Sequence, residues 1–202
     1  MKVALIGASG NVGSRILTEL MRRGHSVTAI MRHPEKVARE GGVTAKKGDV
    51  YDRAALAGLL KGHDAVVSAV RFTDSDPETL IGAVRDSGVK RYLVVGGAGS
   101  LEVAPGVRLL DTPDFPKAYK AEAGAGAVFL EMLLPERQID WTYLSPSAVF
   151  VPGARTGKFR LGKDQLLTGE KGSTISYEDF AVALVDELDK PAHSRQRFTV
   201  GY

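Results

Sequence analysis

The first thirteen residues constrain the fold most, because a short apolar run ends there in three regularly spaced glycines. The run at residues 3–6 leads into a GxxGxxG pattern, and a segment with helical apolar spacing follows it. Gly7 would turn the chain sharply, Gly10 would admit a phosphate to the backbone, and Gly13 would let a helix lie close to the sheet. The pattern predicts a strand, a turn and a helix N-terminus that bind a pyrophosphate. The predicted contact residues are Gly7, Ala8, Ser9, Gly10, Asn11, Val12 and Gly13. A glycine-rich turn without a ligand is the alternative.

Composition excludes several classes of protein. The chain has 202 residues, which we predict to form a single domain with one core. The net charge is +3 and the charges are scattered, which argues against a nucleic-acid partner. Cysteine is absent and the four histidines show no ligand spacing, so we expect no disulfide and no metal site. No apolar run approaches the roughly 20 residues of a membrane span, and the N-terminus reads as a strand, not a signal peptide. We expect a cytoplasmic protein, monomeric or weakly dimeric, that acts on a small molecule.

Strand and helix patterns alternate five times within the first 95 residues. The near-continuous apolar run at 64–70 is typical of a parallel strand covered on both faces. Asp52 and the Asp76-Pro77 pair are predicted to begin helices, and a short helix is predicted from 34 to 39. This alternation predicts an α/β fold, a Rossmann-type doubly wound parallel sheet flanked by helices.

The second half is less regular. Residues 101–115 are predicted to form a loop over the carboxyl edge of the sheet, before a long helix at 117–134. A sixth strand is predicted at 139–144, and residues 147–175 are predicted to form a small C-terminal lobe on the substrate side. Ser176 and Asp179 resemble a capping box before a helix, and the last strand is predicted at 196–201.

The end of the second predicted strand carries Arg32 and His33 where a dinucleotide fold meets the adenosine ribose. A carboxylate there would favour NAD, whereas a guanidinium can grip the 2′-phosphate of NADP with two hydrogen bonds. We therefore predict that NADP(H) is preferred over NAD(H), with Arg32 as the main contact and His33 as a lesser one. An arginine that is merely exposed is the alternative.

Other strand ends supply further candidates. Asp49 could accept a hydrogen bond from the adenine amino group, with Val50 against the ring, although Asp49 could equally cap a helix with Asp52. Ala69 and Val70 end the fourth strand, where small residues let the backbone approach a ligand. Gly97 and Ala98 end the fifth strand and are predicted to lie beside the nicotinamide, unless they form a simple turn. Ser100 is the nearest hydroxyl.

Five segments together resemble the atypical short-chain dehydrogenase/reductase superfamily, within it the NmrA-like NAD(P)H-binding proteins, and most closely the NADH-flavin reductases related to biliverdin-IXβ/flavin reductase. The resemblance covers nearly the whole chain. The segments are 3–13, 48–50, 92–100, 141–146 and 175–181. It implies that Ser145 and Pro146 border the nicotinamide and that residues 149–167 form a wall of the substrate pocket. There Phe150, Phe159 and Arg160 are either flavin contacts or structural residues.

The chain departs from this superfamily in its catalytic pair. Active short-chain dehydrogenases carry YxxxK, but the fourth residue after Tyr119 is Ala123, and Lys120 points about 100° away on a helix. Tyr119 and Ser100 are the candidate catalytic residues. Reduction of a flavin needs no such pair, because the protein mainly positions the two reactants.

We therefore predict an NAD(P)H-dependent reductase of flavin or a similar planar acceptor. A non-catalytic NADP(H)-binding redox sensor of the NmrA type fits the same residues. An epimerase or dehydratase acting on a sugar nucleotide is a second alternative, disfavoured because only about 55 residues follow the sixth strand.

Overall fold

The computed structural model describes residues 1–36 and 41–202. Its helices are α1 (Asn11–Arg22), α2 (Arg53–Leu60), α3 (Pro77–Ser87), α4 (Lys120–Leu133) and α5 (Tyr177–Asp189). Its strands are β1 (Lys2–Ile6), β2 (Ser26–Met31), β3 (Val43–Lys47), β4 (Ala65–Ser68), β5 (Arg91–Val95), β6 (Glu102–Ala104), β7 (Val107–Arg108), β8 (Asp140–Ser145), β9 (Val149–Val151), β10 (Arg160–Gly162), β11 (Thr174–Ser176) and β12 (Gln196–Gly201). None of these helices is long and apolar enough to cross a membrane.

The main sheet has eight strands in the order β10-β12-β8-β5-β4-β1-β2-β3. All neighbours are parallel except β10, which pairs antiparallel with β12 at one edge. From β1 the chain first builds outward through β2 to β3, and then reverses to add β4 on the other side of β1. The predicted doubly wound α/β fold is confirmed. Its switch point lies between β1 and β4, where such sheets bind ligands at the carboxyl ends of the strands.

Two hydrophobic layers cover the sheet. Helices α1 and α5 pack together on one face, and α2, α3 and α4 pack on the other. The central strands β4, β5 and β8 are buried on both faces, as the continuous apolar runs predict. The largest fully buried side chains include Trp141, Tyr92 and Tyr143, all from strands at the middle of the sheet.

Helix starts were the most predictable local feature. Asp52 accepts a hydrogen bond from Ala55 N (3.0 Å) at the start of α2, and Asp76 accepts one from Thr79 N (2.7 Å) at the start of α3. Ser176 likewise accepts from Asp179 N (3.0 Å) before α5. The reciprocal half of the predicted capping box is absent, because both carboxylate oxygens of Asp179 are used elsewhere.

Two stretches differ from their predictions. Residues 101–115 hold the hairpin β6–β7 and a 3-10 turn at Leu109–Asp111. The predicted helix at 34–39 is a 3-10 turn at Pro34–Lys36, and its remainder lies outside the described residues.

Carboxylates of α1 and α5 accept hydrogen bonds from the segment between β8 and α5. Strand β9 pairs with β11, and the chain between β9 and β10 crosses α1 and α5. Asp179 accepts hydrogen bonds from Thr156 N and Gly157 N (both 2.7 Å), and Glu19 accepts two from Arg155 (both 2.8 Å). We call residues 152–158 the strap.

Candidate nucleotide and acceptor site

The turn after β1 can be built only with glycine at its first position. Gly7 has φ +85°, and a Cβ there would lie 2.5 Å from the carbonyl oxygen of Ala69 at the end of β4. Gly7 N donates to Ile30 O (2.9 Å), which fixes the turn to β2 as well. A Cβ at Gly13 would overlap the Gly7 carbonyl, so α1 sits directly on the turn. Two of the three glycines are therefore explained by packing within the chain.

The middle glycine has a different reason. Gly10 is exposed and extended (φ −75°, ψ 171°), a conformation that any residue adopts. A Cβ there would come no closer than 3.3 Å to the Gly7 oxygen. The open side of Gly10 faces outward from the turn, where a side chain would stand between the backbone and a bound phosphate.

The start of α1, like that of α4, has no side-chain cap. Gly10 offers no side-chain hydrogen bond, and the first turn contains no acidic residue. In contrast, α2, α3 and α5 each begin with a side chain that accepts a backbone N–H. An uncapped N-terminus leaves N–H donors and the positive end of the helix dipole available for an anion. This arrangement suits the pyrophosphate of a dinucleotide.

The remaining turn residues divide by burial. Ala8 is fully buried in the α1–α5 layer and Val12 packs partly against it, so they could meet a ligand through their backbone. Ser9 and Asn11 are exposed beside Gly10.

The ends of β2 and β3 lie side by side, because Gly48 N donates to Met31 O (3.1 Å). Arg32 is exposed there and has no carboxylate partner among the described residues. His33 Nδ1 lies 3.2 Å from Glu35 Oε1, so it is already engaged. The geometry leaves the Arg32 guanidinium available to an added phosphate.

The turn after β3 contains a residue that the sequence analysis missed. Asp49 accepts from Tyr51 N (2.9 Å), which leaves its second oxygen available, and Val50 packs partly on the core. Asp52, and not Asp49, caps α2. The Tyr51 ring is 60% exposed at this edge. An exposed aromatic beside a candidate adenine contact is the signal that could have identified it.

The loop after β4 is clamped to α4. Ala69 N donates to Ile6 O (2.9 Å), so Ala69 and Val70 continue the sheet edge beside Gly7. The loop then turns back, and Glu122 of α4 accepts from Phe72 N (2.8 Å) and Thr73 N (3.0 Å). The first turn of α4 is thereby held beside the switch point.

The end of β5 is fixed by a buried tyrosine. Tyr143 Oη accepts from Gly97 N (3.0 Å) and donates to Gly126 O (3.0 Å), which joins β5, β8 and α4. Burial raises the pKa of Tyr143 far above its ordinary value. Tyr143 is therefore a structural residue. The N–H of Gly97 is occupied, so Gly97 and Ala98 could contact a ligand through other atoms of their backbone.

The two catalytic candidates have different surroundings. Tyr119 is 66% exposed. One turn later in the chain, Ala123 packs against Gly99. Ser100 Oγ accepts from Arg197 Nη1 (3.1 Å), and Arg197 also binds Asp164 (2.8 Å). The exposed tyrosine is the freer of the two hydroxyls.

The end of β8 carries an unsatisfied polar group. Ser145 is fully buried, and its Oγ has no hydrogen-bond partner among the described residues. An unpaired buried hydroxyl is costly. Ser145 and the adjoining buried Pro146 lie next to the end of β5, but Ser145 has no accessible surface, so a ligand could reach its hydroxyl only if neighbouring side chains moved.

The three pocket-wall candidates have structural contacts. Phe150 packs on Tyr177 and Phe180, with ring centroids 4.7 and 4.8 Å apart. Arg160 donates to Thr168 O and Tyr202 O. Phe159 packs partly against the α1–α5 layer.

Sequence comparison agrees with this geometry. Residues 7–191 match the family described as NAD(P)H-binding. The chain belongs to the NAD(P)H-binding family. It is related to NAD(P)H-dependent reductases, and the expected resemblance is confirmed. Among the described residues no three histidine or acidic side chains are grouped as metal ligands.

Relatives cover the whole chain. The uncharacterised protein YwnB of Bacillus subtilis (strain 168) is 44% identical, over 99% of this chain and 98% of its own length. A Bacteroides thetaiotaomicron structure, provisionally named an epimerase, is 45% identical with a TM-score of 0.95 and covers 100% of this chain and 96% of its own. A Streptococcus pneumoniae TIGR4 structure, provisionally named an NADH-flavin reductase, is 38% identical with a TM-score of 0.84, covering 100% and 99%.

Proposed function

We propose that this chain is an NADPH-dependent reductase of flavin or a similar planar acceptor. One observation carries the choice of acceptor: the position one turn after Tyr119, where a catalytic lysine would stand, is Ala123 packed against Gly99. Without that lysine, no cation adjoins the tyrosine on its helix face to promote proton transfer to a carbonyl. Bound NADPH would supply a hydride, and one proton from solvent would complete the two-electron reduction of a flavin.

The residues of the carboxyl edge would have distinct roles. The α1 N-terminus at Gly10 would bind the pyrophosphate, and Arg32 the 2′-phosphate. Asp49, Val50 and Tyr51 would surround the adenine. Ser145 and Pro146 would border the nicotinamide.

The test is NADPH oxidation with FMN, FAD or riboflavin as the acceptor. We expect turnover with at least one of them. A variant with weakened NADPH binding shows whether turnover depends on the glycine turn. Gly10→Asp supplies a good helix cap for α1 but puts a negative charge at the proposed pyrophosphate position. We expect it to fold normally and to weaken NADPH binding by about 100-fold.

Gly10→Asn is the matched control, because it has the same shape and capping ability without the charge. It should weaken NADPH binding much less than Gly10→Asp does. Equal losses in both variants would mean that Gly10 is not beside a phosphate.

The redox-sensor alternative uses the same cofactor site. Tight NADPH binding with no turnover of any flavin would favour it over a reductase. The decisive measurement is then whether binding of a protein partner changes with the NADP⁺ to NADPH ratio.

An epimerase is favoured by the provisional name of the Bacteroides relative. Such an enzyme returns the hydride to its substrate, so it consumes no cofactor. The carboxylate-bound strap occupies part of the segment after β8, where such an enzyme would bind its sugar nucleotide. Interconversion of sugar nucleotides without net NADPH oxidation would replace our proposal with this one.

A further inference from the structure

A notch between α1 and the strap is lined by more cationic than anionic side chains. Its volume is about 260 Å³, and α1, the strap and the first turn of α5 contribute to its walls. The charged residues of these walls are Arg15, Arg22, Arg155, Glu19 and Glu178. Gly10 does not line the notch, so the notch is separate from the proposed pyrophosphate site. The dinucleotide therefore does not explain this group of arginines.

Both carboxylates of the notch are already engaged. Glu19 is buried and accepts two hydrogen bonds from Arg155 (both 2.8 Å) and one from Arg23 (2.9 Å). Glu178 accepts one from Arg15 (3.0 Å) and one from a backbone N–H of the strap (2.8 Å). Neither carboxylate has been left to neutralise a further cation.

Several guanidinium N–H groups at the notch have no acceptor among the described residues. The Arg22 side chain has no hydrogen-bond or ion-pair partner there. Arg155 binds Glu19 through Nε and Nη2, which leaves its Nη1 unused. Arg15 uses Nε and Nη1, which leaves its Nη2 unused. Because a guanidinium keeps its charge and only donates, the notch is suited to a ligand that only accepts.

The three arginines come to the notch from two elements. Arg15 and Arg22 are seven residues apart on one face of α1, and Arg155 lines the same notch from the strap. Like charges gathered in this way repel one another, and an anion between them would turn the repulsion into attraction. We propose that the notch binds a phosphate group, free or carried by a small organic molecule. Guanidinium groups match phosphate oxygens with paired hydrogen bonds, and the bound group would join the strap to α1.

Titration with sodium phosphate at constant ionic strength, followed by the NMR signals of the arginine Nε–H groups, tests the proposal. We expect the signals of Arg15, Arg22 and Arg155 to shift together, with a dissociation constant in the millimolar range because solvent and salt screen an open notch. Chloride at the same ionic strength should not shift them. Glycerol 3-phosphate is the second probe: equal affinity indicates recognition of the phosphate alone, and tighter binding indicates contacts to the organic part as well.

Arg22→Gln should weaken phosphate binding at the notch at least tenfold, and it deprives no described residue of a partner. Arg137→Gln is the matched control, because Arg137 is also exposed but lies after α4, and it should bind phosphate as the unmodified chain does. The titration is repeated in Gly10→Asp, where a phosphate at the glycine turn is repelled and the notch signals should still shift. Arginine signals that do not move, that move only when Gly10 is present, or that are unaffected by Arg22→Gln overturn the proposal. Circular dichroism shows that each variant is folded.

Discussion

Arg32 and Tyr119 are both exposed single side chains, but they raise different questions about the reaction. In the proposed function Arg32 selects the cofactor, since it has no carboxylate partner among the described residues and its neighbour His33 is already paired with Glu35. Tyr119 concerns what the cofactor reduces, since its hydroxyl projects from the start of α4 without a lysine one turn later. A substitution at each position separates the two questions.

Arg32→Ala should discriminate between the two nicotinamide cofactors. Loss of charge-assisted bonds to the 2′-phosphate should cost about 1.5–3 kcal/mol of NADPH binding free energy, while NADH binding should barely change. Isothermal titration with both cofactors measures this. If both weaken equally, Arg32 does not contact the 2′-phosphate.

Tyr119→Phe should reduce flavin turnover by less than about tenfold, because the proton can come from solvent. A general acid in the transition state contributes typically 100- to 10,000-fold. Steady-state kcat with the best flavin acceptor shows whether the proton comes from solvent or from Tyr119. A loss of 100-fold or more would make Tyr119 a proton donor and would reopen carbonyl chemistry.

At the scale of elements, local signals were predictable and long-range ones were not. The turn at Gly7, the caps at Asp52 and Asp76, and the strands from β1 to β5 follow from residues close together in sequence. The bond from Arg155 to Glu19 joins residues 136 positions apart, and Tyr143 joins three elements at once. Neither interaction leaves a periodic pattern in the sequence. The uncapped start of α1 was predictable, but the burial of Ser145 and the engagement of Ser100 required the packed structure.

The contact between Arg155 of the strap and Glu19 should make the free energy of unfolding depend on pH. Hydrogen bonds from Arg155, helped by Arg23, lower the pKa of Glu19 from 4.5 to about 2 despite its burial. A carboxyl whose pKa is lower in the folded state stabilises the fold fully above pH 4.5 and loses that contribution as the pH falls towards 2. Glu19→Gln should therefore lower the free energy of unfolding at pH 7 by about 3 kcal/mol and flatten its dependence between pH 5 and 2.

Urea unfolding at pH 7 and pH 3 provides the measurement. The exposed Arg53–Asp86 pair supplies the control, since its N–O distance is also short (2.7 Å) but both side chains face solvent. Asp86→Asn should leave stability nearly unchanged. If Glu19→Gln and Asp86→Asn lower the free energy of unfolding equally, burial does not explain how much the Glu19 ion pairs contribute to stability.

At the scale of the whole molecule, the cofactor should bind only the folded sheet, because the contacts proposed for it come from the ends of several strands. NADPH at 100 times its dissociation constant should add about 2.7 kcal/mol to the free energy of unfolding. For a chain of this size the midpoint of thermal unfolding should rise by about 5–10 °C. NADH at the same concentration should give a smaller rise, and Gly10→Asp should remove the NADPH effect.

The packing of α1 on α5 has a consequence for synthesis of the chain. The helix behind the glycine turn is made first, but its partner helix follows much later, since Arg23 and Asp186 are 163 residues apart. On the ribosome, the apolar face of α1 must wait until α5 has emerged. If the glycine turn binds the cofactor as proposed, cofactor capture should therefore follow the synthesis of α5, and an intact site would report that this helix has been made.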